Sequence, residues 1–384
     1  MGAERKGEIC ILTHYLDRMP CGVGRYIEAL LEEFKAFDLA GRIRLVHDQP
    51  NDHPHYHYYH HTIVPLPTGP ARETRWAQWH LPRALQAMRP ALVHCPIQSN
   101  PPVFGRRAPL VLTVWDFAPL LWADPVWPWP RRWLIYGLIL RRAIAQATAI
   151  IVPSESTRAD LIRLFGRALA RGGNPPIEVI TCAADKQYRP RPDLARPMSD
   201  GYLLYVGSLV PRKNVATLIR AVAMVKRRGS NLRLLLATPG AEYAGSAIEA
   251  LARAEDLADQ VDVVEKVTLV DKLASLYTHC EVFVFPSLYE GFGLPVIEAM
   301  SCGAPVITTR RSSLPEVAGE AARLVGGDDP EELARAIEEV VGDPVLRRRL
   351  GEASLAQAAR FSWRKAAEQT AAVYERVLAR QSKD

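Results

Sequence analysis

The sequence predicts two doubly wound α/β domains, and three observations carry that reading. A chain of 384 residues is longer than one ordinary core organises. Along it, short apolar runs rich in β-branched and aromatic residues alternate with segments of helical period, the pattern of buried parallel strands and crossover helices. Between the two halves the run RPRPDLARP over 189–197 is proline-rich, charged and aperiodic, as an interdomain linker is. The expected domains are 1–190 and 201–363, with 191–200 joining them.

Composition narrows the class. Hydrophobic residues at 48% and charged residues at 23% are globular values. Lysine and arginine exceed the acids by 48 − 42 = 6, which suits anionic ligands or an anionic membrane surface and is too weak to argue for nucleic acid. The six cysteines are scattered without a CxxC pair, so a reduced, cytoplasmic protein is expected. No signal peptide opens the chain, and no apolar run reaches the eighteen residues that span a bilayer.

In the first half, residues 8–12 read as a strand, followed by a glycine pair, Gly22 and Gly24, and a helix from Arg25 to about Phe37 with Ile27, Leu30, Leu31 and Phe34 on one face. The glycines make either a tight turn or a place where backbone approaches a phosphate. Residues 47–61 hold six of the ten histidines. With no HExxH, cysteine partner or carboxylate to orient an imidazole, a polar loop or edge strand is expected there rather than a metal site. Residues 91–94 and 110–115 are strands, placing His94 and Trp115-Asp116 at carboxyl ends, where ligands collect in open α/β sheets. A tryptophan there either stacks on a sugar face or fills core. Residues 122–142 carry four tryptophans and two arginine pairs around LIYGLIL, which fits a packed helix hairpin or an interfacial helix resting on headgroups. Residues 147–152 form a strand, Ser154 caps the helix that follows to Phe165, and 175–181 add a further strand.

The second half opens with a strand over 201–206, a loop carrying Arg212 and Lys213, and a helix from Val215 to Arg227. A strand over 232–237, a helix over 247–254, a strand over 261–267 and a helix over 271–280 lead to VFVF at 282–285. The next stretch, PSLYEGFGLPVIEAMSCG, organises the site. Glu290 precedes Gly291 and Gly293, Pro295 stands at a first helical position, and Gly303 ends the helix. A carboxylate thus meets a helix amino end, an anion site by its dipole and free amides. Two acids, Glu290 and Glu298, beside a phosphate-friendly end suit a ligand that offers hydroxyls as well as phosphate, as a nucleotide sugar does, although the same spacing also fits a Glu298 that only complements the helix dipole and a Glu290 on a surface loop. Arg212 and Lys213 could neutralise its diphosphate in place of a metal, although a solvated basic turn has the same sequence. A strand over 305–308, the turn SSLPEV and helices from Pro330 complete the half.

The run EGFGLPVIEAMSCGAPVITTRRSSLPEVAGEAA, with VGSLVPRKNVATLI and GVGRY, resembles the retaining GT-B glycosyltransferases of glycosyltransferase family 4, over most of the chain. The resemblance implies two Rossmann-like domains facing across a cleft, the last helix, about 364–384, completing the first. It implies that Glu290 faces the transferred sugar, Glu298 holds the ribose, and Arg212 and Lys213 clamp the diphosphate. Gly291, Phe292, Gly293 and Leu294 would line the donor, and Gly22 and Gly24 would approach its phosphate. His94, Arg25, Trp115 and Asp116 fall on the acceptor or sugar side, where the family's usual His-Asp pair is replaced here by Trp115-Asp116. Residues 261–267 resemble the segment that reads the base. The implied reaction moves a mannose- or glucose-class hexose from a UDP- or GDP-sugar to a glycan, lipid-linked or small-molecule acceptor, with retention and without a metal or other cofactor. The implied place is cytoplasmic or the inner membrane face, with 122–142 as the peripheral membrane contact. Rivals are another GT-B enzyme, such as a phosphorylase or epimerase, and a nucleotide-sugar-binding subunit without activity.

Overall fold

Strands buried on both faces need unbroken apolar runs, and the strands built from VFVF, LVLT and AIIV are fully buried along their length. The computed structural model describes residues 7–18, 22–105, 107–122, 129–198, 201–238, 245–265, 267 and 270–381. The chain divides into two compact units, one of residues Met1–Cys182 with Trp363–Asp384, the other of Ala183–Ser362.

In the first unit the described strands are β1 (Ile9–Leu12), β2 (Ile43–His47), β3 (His60–Ile63), β4 (Leu92–Cys95), β5 (Leu110–Thr113), β6 (Ala149–Val152) and β7 (Ile177–Val179). They form one parallel sheet in the order β3-β2-β1-β4-β5-β6-β7. The second unit holds β8 (Tyr202–Val206), β9 (Arg233–Thr238), β10 (Val261–Glu265), β11 (Val282–Phe285), β12 (Val306–Thr309) and β13 (Ala322–Val325). Their order, β10-β9-β8-β11-β12-β13, repeats the same winding, again all parallel. Each sheet reverses direction beside its first strand, between β1 and β4 and between β8 and β11. Crevices at the carboxyl ends of such a reversal are where open α/β sheets hold ligands.

The final helix, Trp363–Gln381, belongs to the first unit. Its Tyr374 is fully buried, with its ring 6.0 Å from that of Phe34, and Arg364 lies over the Phe37 ring at 4.3 Å. Ser154 caps the helix Glu155–Arg171 by accepting from Thr157 N at 3.1 Å, and that helix runs past the expected end at Phe165.

Several expectations need correction. The helix expected from Arg25 starts at Gly22 and ends at Phe34, so the glycine pair occupies the first helical turn, where the amide groups lack helical partners anyway. Cys21 lies outside the described residues. Residues 47–61 are three elements. His47 ends β2, Pro54–Tyr58 is a short helix started by proline, and β3 is the sheet edge. A carboxylate does meet His47: Asp17 Oδ2 lies 3.4 Å from its Nδ1, both side chains wholly buried. SSLPEV is no simple turn, because Leu314–Ala318 is helical with Pro315 in its first turn.

The proline-rich run is no free linker. The chain leaves the first unit after Cys182, eight residues before the expected boundary at 190. Arg191 pairs with Asp271 at 2.8 Å and donates its amide to Thr278 Oγ1, while Ser275 donates to Ala195 O and His279 meets Leu194 O. These bonds lay the segment along the helix Val270–His279 of the second unit.

Of residues 122–142, those from 123 to 128 lie outside the described residues. The remainder is helical from Trp129 to Gln146, wound wider over Trp133–Leu140. Ile135, Tyr136, Ile139 and Leu140 are buried in the first unit's core, whereas Trp133 is 59% and Leu138 45% exposed. Among the described residues no helix is long and apolar enough to cross a membrane.

Candidate active site

The second unit gathers three of the expected residues, Arg212, Lys213 and Glu290, at its β8/β11 reversal, and Glu298 follows in the helix after that loop. β8 delivers the chain to a single 3-10 turn, Pro211–Lys213, and β11 delivers it to the loop holding Glu290. Asn214 ends the turn in the left-handed region at φ 60°, and its amide donates to Pro286 O at 3.2 Å and Gly327 O at 2.6 Å. Leu288 N donates to Arg212 O at 2.9 Å. The two loops are thereby tied together by their backbones.

Glu290 is the hub. Its Oε1 accepts from Lys213 Nζ at 2.6 Å, Ser287 Oγ at 2.5 Å and Arg212 Nη1 at 3.4 Å. Arg212 Nη1 also donates to Tyr289 O at 3.0 Å, and Lys213 Nζ stands 4.9 Å from the centre of the Phe285 ring. The Glu290 backbone is pinned by serines: its amide donates to Ser312 Oγ, and its carbonyl accepts from Ser312 and Ser313. Burial pushes the Glu290 carboxyl up, but Lys213 and Arg212, with hydrogen bonds from Lys213 and Ser287, outweigh it and hold the carboxyl below its ordinary 4.5. This pairing contributes stability above that ordinary value and loses it as pH falls through the lowered one.

Gly291 and Gly293 carry the chain from Glu290 into the helix Leu294–Ser301, with Pro295 in its first turn and Gly293 as N-cap at φ 111°. A Cβ on Gly293 would lie 2.9 Å from Leu314 Cδ2. Gly293→Ala is therefore expected to cost about 1–3 kcal/mol of stability from backbone strain alone, read as a lower melting temperature together with reduced turnover. Phe292 is buried edge-on against Phe361, with ring centres 5.8 Å apart. Glu298 lies in the second turn of the helix, 4% exposed, with its Oε2 accepting from Tyr277 OH at 3.2 Å.

The first unit's candidates divide. Gly22, Gly24 and Arg25 stand at a helix start near the carboxyl end of β1. Trp115 and Asp116 follow β5. The Trp115 indole N–H donates to Pro96 O at 2.8 Å and its ring meets Tyr26 edge-on at 4.8 Å, so it is a half-buried packing residue. Asp116 Oδ1 accepts from Ala118 N at 2.9 Å, and Gln98 bridges the two by accepting from Trp115 N and donating to Asp116 O.

His94, expected at a strand's carboxyl end where ligands collect, is instead wholly buried. Thr113 Oγ1 lies 2.9 Å from its Nε2 and Tyr374 OH 2.6 Å from its Nδ1. The final helix covers it. Burial pushes its pKa down to about 3, so the imidazole is neutral when folded. Because the unfolded chain binds that proton first, stability is expected to fall as pH drops from about 6.5 toward 3. Urea midpoints at pH 7.5 and 5 check this: His94→Gln should flatten the decline, and an equal decline in both proteins would contradict it.

Sequence reasoning missed Ser287, Asn214, Ser312, Ser313 and Tyr277. Only the serine pair beside a proline in SSLPE gave any signal. Among the described residues no group of three or more His, Cys, Asp or Glu side chains is placed to hold a metal ion. The segment resembling a base reader is strand β10 up to Glu265, and Lys266 lies outside the described residues.

Two parallel-sheet Rossmann-like units, the second with a charged cluster at its sheet reversal, have the arrangement of GT-B proteins, and comparison with known proteins agrees. The profile for glycosyl transferases group 1 matches residues 188–357, and that for Glycosyltransferase Family 4 matches residues 20–188. The chain belongs to glycosyltransferase family 4. It is similar to the O-antigen chain mannosyltransferase B of Escherichia coli, 32% identical over 246 residues, 62% of this chain and 62% of that protein. The MMP alpha-(1->4)-mannosyltransferase of Mycolicibacterium hassiacum is 32% identical over 300 residues, 76% of this chain and 66% of that one. The matches thus span a little under two thirds of those relatives. Among solved structures, sucrose-phosphate synthase from Thermosynechococcus elongatus aligns with TM-score 0.76 at 24% identity, covering 97% of this chain and 100% of that one. HepE from Anabaena in complex with UDP and glucose aligns with TM-score 0.72 at 18% identity, covering 96% and 99%.

Proposed function

We propose that the protein transfers a hexose of the mannose or glucose class from a UDP- or GDP-sugar to a glycan, lipid-linked or small-molecule acceptor, with the anomeric configuration retained. The observation that carries this reading is the Glu290 hub, in which one buried carboxylate holds two cations at a helix amino end. When the donor binds, Lys213 and Arg212 turn from Glu290 to the diphosphate and neutralise the charge that develops as the bond from the anomeric carbon to the phosphate oxygen breaks. Glu290 faces the sugar, where its carboxylate accepts from a hydroxyl and stabilises positive charge at the anomeric carbon. Glu298 accepts from the ribose hydroxyls. The acceptor oxygen bonds to the anomeric carbon on the face the phosphate leaves, and that phosphate oxygen takes the acceptor's proton. No side-chain base and no metal is needed in this scheme, since two fixed cations do the metal's work.

The mannosyltransferase names of the two relatives support the hexose, and the UDP complex of HepE supports a nucleotide donor. The exposed Trp133 and Leu138, flanked by Arg131, Arg141 and Arg142, support docking of that helix on an anionic membrane, at the cytoplasmic face.

Incubation with a panel of UDP- and GDP-hexoses tests the reaction. Slow release of one nucleoside diphosphate is expected from the preferred donor. Binding without release, with or without acceptors, would instead make the protein a nucleotide-sugar-binding subunit.

A further inference from the structure

The carboxylate of Glu298 is held by a side chain outside the residues that the reaction scheme uses. Tyr277, on the helix Val270–His279, is fully buried, and its OH lies 3.2 Å from Glu298 Oε2. A carboxylate only accepts, so the phenol is the hydrogen-bond donor.

We propose that Tyr277 is a positioning residue for the nucleotide: its hydroxyl holds the Glu298 carboxylate in the orientation that accepts from a ribose diol, and so makes the site prefer ribonucleotides to nucleotides lacking those hydroxyls. The inference rests on the role proposed for Glu298 and adds the residue that prepares it.

Packing fixes where the hydroxyl lies. The Tyr277 ring stands edge-on to Tyr188 at 6.0 Å and 68° and to Phe283 at 5.3 Å and 78°, and Phe283 in turn stacks on Phe285 at 5.9 Å. Both phenylalanines belong to β11, the strand that leads to the Glu290 loop. One residue before Tyr277, Leu276 O accepts from Tyr202 OH at 2.8 Å, which ties the helix to β8. Ring and helix are thus held from the central strands of the sheet, and the hydroxyl is delivered to one point.

A packing role alone does not account for that hydroxyl. Phenylalanine would fill the space between Tyr188 and Phe283 as well, and a buried phenol can be satisfied by a backbone carbonyl, as that of Tyr202 is. Tyr277 instead donates to a carboxylate that is itself 4% exposed. Burial raises the phenol well above its ordinary pKa, so it remains a donor at neutral pH.

The consequence for a ligand follows from the last torsion of the glutamate, which is intrinsically broad. A carboxylate that rotates meets a vicinal diol correctly in only part of its range. A donor fixed on Oε2 sets the carboxylate plane, and with it the directions in which two neighbouring hydroxyls are met. Ordering the side chain before the nucleotide arrives removes a cost that binding would otherwise carry.

Titration calorimetry on the full chain compares UDP and GDP with their 2′,3′-dideoxy counterparts, for the unaltered protein, Tyr277→Phe, Glu298→Ala and the double variant. Phenylalanine keeps the ring and its edge contacts, and melting curves verify that each variant is folded. The unaltered protein should prefer the better-bound ribonucleotide to its dideoxy form by about tenfold or more, and Tyr277→Phe should reduce that preference to about threefold or less while changing dideoxy affinity less than about twofold. In the Glu298→Ala background the same substitution should leave the preference unchanged, because the group through which it acts is gone. Equal losses for both forms, no loss for either, or a further fall in the preference without Glu298 would each overturn the proposal. A preference that Glu298→Ala retains overturns the ribose role of Glu298 and this inference with it, and binding of neither nucleotide overturns the transferase reading as well. A preference lost in Glu298→Ala but kept in Tyr277→Phe counts against this inference alone.

Discussion

Replacing Glu290 by alanine is expected to reduce nucleoside diphosphate release and sugar transfer by about 10²- to 10³-fold, the scale on which one preorganised electrostatic group acts. Nucleotide affinity should not fall with it, because Arg212 and Lys213 remain. The free protein should lose stability. Lys213 and Glu290 are both about nine-tenths buried, and removing one partner of such a pair leaves the other charge uncompensated, a cost of about 3–5 kcal/mol when burial is complete. Lys213 Nζ stands 4.9 Å from the centre of the Phe285 ring, and that contact does not replace the lost carboxylate. A bound diphosphate restores the missing anion, so UDP or GDP should raise the melting temperature more in Glu290→Ala than in the unaltered protein. Full turnover in the variant would remove Glu290 from the reaction.

Lys213→Met should act on binding first. Loss of one hydrogen bond to a charged oxygen, about 2 kcal/mol, corresponds to roughly 30-fold weaker nucleoside diphosphate affinity. A second effect follows from Glu290. Burial is the largest influence on that carboxyl and is held in check by Lys213, then Arg212. Without Lys213 the carboxyl moves up, so the acid limb of the pH–rate profile should shift to higher pH. Calorimetry and initial rates between pH 5 and 8 read both effects. An acid limb that stays in place would show that the limb belongs to another group.

Much of this site was legible because its signals are local. VFVF is apolar on both faces and can only be a buried strand. Pro295 behind Gly293 marks a helix start in four residues. Arg212 and Lys213 follow a strand whose pairing with β11 is the sheet's reversal. The chemistry that holds Glu290 was less visible because its partners are remote. Asn214 reaches Gly327 across 113 positions, and Ser312 and Ser313 reach back more than twenty to the Glu290 backbone. His94 misled for the same reason: the Tyr374 that buries it lies 280 positions away. The proline-rich run misled differently. Composition reports that RPRPDLARP has no regular structure, and it cannot report that Arg191 will find Asp271. Asp17 beside His47 was likewise hidden, since a short 3-10 turn carries it back over the end of β2.

A crystal structure with UDP or GDP bound addresses the shared role of Arg212, Lys213 and Glu298 most directly. The expected result has Lys213 Nζ and the Arg212 guanidinium within hydrogen-bond reach of the diphosphate and Glu298 at the ribose hydroxyls. A nucleotide seated elsewhere, with Lys213 still on Glu290, would contradict it.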